Sequence, residues 1–186
     1  MSDDAWHEDA SKTVRILQSI VAAMCAGMLI FLVIALSMAP LLKPPAAIRP
    51  ISITLIAFAF VGLAQIARAI LLWKITTKAR REILSGTYTP LDPRRRISSV
   101  PVEDGGCRDA KYLLPVFQAK TIMSAALFEG CGFFAAIAYL LEGSPVGLGL
   151  ALALILGVAA HFPTRSRAIG WVERQLEIVG QEKMLR

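Results

Sequence analysis

One carboxylate inside an apolar run is the residue best placed to do chemistry in this chain. Residues 117–143 read FQAKTIMSAALFEGCGFFAAIAYLLEG, with Glu129 near the middle and Lys120, nine positions back, the nearest charge on its N-terminal side. As a helix this run is long enough to cross a bilayer. A carboxylate at that depth is costly unless it is paired, hydrated or protonated, so it marks a site for ion pairing, proton exchange or cation binding.

The groups able to answer it come from neighbouring apolar runs. Arg68 lies five residues before Trp73, about 8 Å of helix rise below the interface that the tryptophan marks. Gln65 sits one turn deeper on the same side of that helix. Lys120 lies near the start of the run that holds Glu129, about 13 Å shallower, and its long stem can snorkel outward. Ser124 and Thr121 enter from the same helix and Gln18 from an earlier one. The expectation is an intramembrane polar cluster of Glu129, Arg68, Gln65, Lys120, Ser124 and Gln18, with Glu129 deepest and Arg68 its preferred partner by charge. Three readings stay open: a buried pair that fixes which helix faces meet, a neutral hydrogen-bonded glutamate, or a carboxylate that handles protons or cations.

The motif Ala125-Ala126-Leu127-Phe128-Glu129-Gly130, apolar from there to Leu141, resembles the carboxylate helix of the ATP synthase c-subunit, or proteolipid. The resemblance covers residues 125–141. It implies that Glu129 would bind and release a coupling ion among small neighbours. In that family a glycine-repeat helix precedes the carboxylate helix. Here the glycine-bearing helix follows, with Gly147, Gly149, Ala151 and Ala153, and two further apolar runs have no counterpart.

The elements that must position these groups follow from composition. Of 186 residues, 55% are hydrophobic and 18% charged, with mean hydropathy +0.58. Soluble domains carry about 25% charge, and here the charges avoid four blocks almost entirely. That pattern predicts an all-α integral membrane four-helix bundle with a helical extension and a C-terminal amphipathic helix. The expected spans are 14–38, 52–73, 116–142 and 146–162. The first run is read as an uncleaved helix, because the segment before it is acidic and the apolar stretch exceeds a signal-peptide core. The second is expected to continue over 74–85, with Gly86 as the residue that ends it. Residues 86–113, rich in Pro and Gly, read as a loop, and 164–180 as an amphipathic helix that lies on the membrane or packs on the extension.

Sixteen Lys and Arg flank the spans on the side of both termini, against two in the loops opposite. The positive-inside rule therefore puts both termini in the cytoplasm, and an inner (plasma) membrane is expected. The net charge of +6 is accounted for by these flanks rather than by nucleic acid. Arg94, Arg95, Arg96 and Trp171 are expected to touch the membrane surface. Gly149, Ala153 and Gly157, with Ala126 and Gly130, offer small-residue faces for close helix packing.

No nucleophile–base pair, phosphate-cradling loop or Cys-x-x-Cys is present, and Cys25, Cys107 and Cys131 are scattered. With only His7 and His161 available, no metal or cofactor is expected. His161 is read as an interfacial residue without a role. The reading that follows is a non-enzymatic scaffold or subunit of a membrane assembly, partnered by lipid and by copies of itself or another membrane protein. Proton or cation translocation through Glu129 is the alternative, and an enzyme acting on a lipid or redox carrier ranks third.

Overall fold

The structure, a computed structural model, describes residues 3–39, 52–87 and 105–185. Among them there are five helices and no strand: α1 Asp3–Met38, α2 Ile53–Ser85, α3 Gly105–Glu142, α4 Pro145–Ala160 and α5 Arg165–Met184. Three of these, α1, α2 and α3, are long and apolar enough to cross a membrane. At 16 residues α4 rises ~24 Å, short of a hydrocarbon core of about 30 Å. Arg94, Arg95 and Arg96 lie outside the described residues.

The chain forms two compact units. One comprises Ser19–Ile70 and Ile122–Phe162. Its described residues carry only three charges, Arg68, Glu129 and Glu142. Met28, Leu32, Cys131, Ala135, Leu154 and Val158 are among the side chains of its core. Small residues bring its backbones together: a Cβ on Gly147 would lie 3.2 Å from the Tyr139 backbone nitrogen, so α3 and α4 touch almost main chain to main chain. Outward it presents Ile30, Val33, Leu55, Leu63 and Leu156, all exposed. So large an apolar surface is stable only with lipid as its solvent.

The other unit comprises Met1–Gln18, Leu71–Thr121 and Pro163–Arg186. Here the apolar residues recur every three or four positions among charges, the signature of helices half in water. Trp6 and Ala10 of α1, Ala79 and Ile83 of α2, Leu113 and Leu114 of α3, and Val172 and Val179 of α5 share its core. Helix α5 therefore packs on the end of α2. Arg80 Nε donates to Gln175 Oε1 at 2.8 Å, satisfying the amide oxygen of a buried glutamine.

Two helix starts bear on the expected boundaries, and the second departs from them. Of the two forms open to the acidic lead before residue 14, disordered or helical, the helical one is present from Asp3, because Trp6, Ala10, Val14 and Leu17 make one buried stripe. Helix α3 begins at Gly105, ahead of Pro115, which sits inside it. Proline removes one main-chain hydrogen bond and strains the preceding turn. Burial of Leu113, Leu114, Val116 and Phe117 on either side holds the helix through it. At the other end of α2, Gly86 takes φ +70°, a conformation that ends the helix without a Cβ penalty.

Candidate functional site

Arg68 is the hub of the polar groups in the apolar unit. Its Nη1 donates to Gln65 Oε1 at 3.0 Å, one turn back on α2, and its Nε to Ser124 Oγ of α3 at 3.3 Å. The third partner is His161, just past the end of α4, whose Nε2 lies 2.9 Å from Arg68 Nη2. His161 Nδ1 lies 2.7 Å from the Gly157 carbonyl oxygen, which can only accept. The imidazole proton is therefore on Nδ1, and Nε2 accepts from the guanidinium. Phe128 completes the surround. The Arg68 guanidinium carbon stands 5.0 Å from its ring centre and the His161 ring 5.1 Å away.

The backbone makes this geometry possible at Gly157. A Cβ there would come within 2.7 Å of the Phe128 ring, so only glycine lets the ring lie on α4 beside His161. Gly157 is thus the member of its small-residue stripe that packs inward. Gly149 and Ala153 are exposed on the same helix, and Ala126 and Gly130 are exposed on α3.

Glu129 stands apart from this network. It is half-buried, with Oε1 4.0 Å from where a Cβ of Gly27 would be, so the carboxylate lies over the glycine of α1. Among the described residues no ion pair or hydrogen bond reaches it, and the expected bond with Arg68 is not formed. The reason is axial. Arg68 is level with Ser124, five residues or ~7.5 Å of helix rise from Glu129, and each of its three nitrogens donates to a neutral acceptor at that level. Gln65 Nε2 is buried without a partner, so this unit keeps both an unmatched donor and an unmatched carboxylate.

Gln18 and Lys120, expected in the same cluster, belong to the other unit. Gln18 Nε2 donates to the Pro163 carbonyl at 2.9 Å. Lys120 Nζ sits 5.4 Å from the centre of the Trp171 ring. Trp171 itself is half-buried, with Phe117 5.6 Å away, because burying α5 turns its apolar stripe inward.

Glu142, at the end of the third expected span, carries a role that the sequence reading missed. Its carboxylate accepts from Thr54 Oγ1 at 2.5 Å, Ser52 Oγ at 2.9 Å and the Thr54 amide at 3.1 Å, and also from the Ile53 amide. An acid from the end of α3 thus caps the first turn of α2, where free amides and the helix dipole favour an anion. A glutamate directly before Gly143, with Ser and Thr opening another helix, is the sequence signal that marks such a cap.

No family model, curated protein or solved structure matches the chain. Function rests on the site itself. Neither polar centre is built for covalent chemistry, since the Ser124 hydroxyl meets a guanidinium rather than a base and the free Nε2 of His161 is occupied. No group of three His, Cys, Asp or Glu side chains converges on a metal position among the described residues.

Proposed function

We propose that the chain is a non-enzymatic subunit or scaffold of a membrane assembly, crossing the bilayer four times with both termini in the cytoplasm. Counting α4 as the fourth crossing requires a locally thinned bilayer, which its wholly uncharged sequence tolerates. One observation carries the reading. Three pairs of small residues at i, i+4 face outward from the apolar unit: Ala22 and Ala26 on α1, Ala126 and Gly130 on α3, Gly149 and Ala153 on α4. A surface meant for lipid alone gains nothing from small side chains, whereas another helix gains close backbone approach. The partner is a second copy or another membrane protein. Cross-linking in native membranes, followed by purification in mild detergent, tests this directly. A species of more than one chain that Gly149→Leu and Ala153→Leu dissolve supports it; a monomer insensitive to both substitutions refutes it.

A second reading, proton or cation translocation through Glu129, is supported by the unpartnered carboxylate over Gly27. Its test is flux into liposomes: Glu129→Gln abolishes the flux if the carboxylate carries the ion, and flux that persists unchanged removes this reading.

A further inference from the structure

On the face of α2 opposite the buried Ala79 and Ile83, a groove of about 370 Å³ runs along the helix from Trp73 to Ser85. Lys74, Lys78 and Arg81 line it at i, i+4, i+7, and all three are exposed. We propose that this groove binds the headgroup of an anionic phospholipid.

The charges are arranged for an external anion. Lys78 is 3.8 Å from Glu82, the one acid in the groove, and Glu82 also accepts from the Tyr112 hydroxyl. Lys74 and Arg81 meet no carboxylate among the described residues, so two positive charges stay uncompensated on one stripe. Their level fits a lipid phosphate. Trp73, 68% exposed at the end of the apolar run of α2, marks the interface that aromatic residues favour. Lys74 lies ~1.5 Å and Lys78 ~7.5 Å beyond it along the helix, within a headgroup layer of about 5–7 Å per leaflet or at its edge. Arg81, ~12 Å beyond, reaches back with its long side chain. Thr77 sits between the cations and supplies a hydroxyl. The exposed Leu71 and Trp73 continue the stripe toward the bilayer and offer acyl chains an apolar wall. An acidic protein segment would use the same charges, but not a tryptophan at the lipid boundary.

The experiment is calorimetric titration of the purified full chain, in zwitterionic detergent, with short-chain phosphatidylglycerol and with phosphatidylcholine. Phosphatidylglycerol is expected to bind about tenfold more tightly, and the preference to shrink as salt rises. Lys74→Gln with Arg81→Gln should bring the two lipids level. Lys74→Arg with Arg81→Lys should keep the preference, and so should the charge-matched control Arg165→Gln with Arg174→Gln on α5. Equal affinity for the two lipids in the unaltered protein overturns the proposal, as does equal loss in the α5 control. Should the glutamine pair fail to fold, a preference that is indifferent to salt overturns it as well. Inorganic phosphate serves as the competitor; if it displaces phosphatidylglycerol at equal concentration, the groove is a site for soluble phosphate and not for lipid.

Discussion

Arg68 gives a hydrogen bond to His161, 2.9 Å from Nη2 to Nε2, where the charge pattern of the chain points to a carboxylate instead. A neutral imidazole held in one tautomer by the Gly157 carbonyl is the acceptor that lets an arginine stay inside an apolar unit without an anion beside it. The cation is distributed over three acceptors and one aromatic face, each a modest contribution. Hydrogen bonds to charged groups are worth about 1.5–3 kcal/mol.

Replacing the acceptor should therefore matter more than replacing the ring. His161→Phe is expected to destabilise the protein by about 1–3 kcal/mol, since it leaves one guanidinium N–H unsatisfied. His161→Gln, which can still accept, should recover a good part of that loss. Thermal unfolding in detergent, compared across the two variants, decides it; equal losses would mean that the imidazole only fills space.

Arg68 and Glu129 should behave as independent sites. With no contact between them, Arg68→Ala and Glu129→Ala are expected to add within about 0.5 kcal/mol in a double-mutant cycle. A coupling well above that value would show that the two charges meet.

Among the small residues of α4, position should separate folding from assembly. Gly157→Ala drives a methyl into the Phe128 ring and is expected to cost about 1–3 kcal/mol of stability. Gly149→Leu meets open space, so it should leave thermal unfolding of the single chain unchanged while lowering the yield of cross-linked species. Equal loss of stability at both positions contradicts this division.

The cap on α2 should depend on the acceptor rather than on side-chain bulk. Glu142→Ala is expected to cost about 0.5–2 kcal/mol, and Glu142→Gln less, because an amide oxygen still accepts but without the charge favoured at a helix start. Hydrogen exchange at the Ile53 and Thr54 amides reports it directly, faster in the alanine variant than in the glutamine one.

Much of the arrangement is written in local patterns, and the rest depends on contacts that no local pattern carries. Glu129 stands out because a charge in an apolar run is a one-dimensional signal, and Gly86 because a glycine after a periodic stretch ends a helix. His161 could not be recruited to Arg68 in the same way. The two are 93 residues apart and meet only where α2 and α4 run side by side. The core shared by Trp6, Leu113 and Val172 is hidden for another reason. Gly105, Gly106 and Pro115 are poor helix formers, so local propensity argues for a loop where burial of Leu113 and Leu114 stabilises a helix. Small residues were legible as a class but not by direction. The stripe at Gly149, Ala153 and Gly157 splits, with Gly157 against Phe128 and the other two exposed.

The clasp between Glu142 and Thr54 also sets an order of events as the protein is made. The first turn of α2 leaves the ribosome 88 residues before the acid that closes it. At ~5–20 residues per second, that interval lasts about 4–18 s. During it, the opening amides of α2 must be served by water or by lipid headgroups, so this end of the helix stays at the wet boundary until translation reaches the end of α3. Arrival of Glu142 then supplies the anion that these amides lacked.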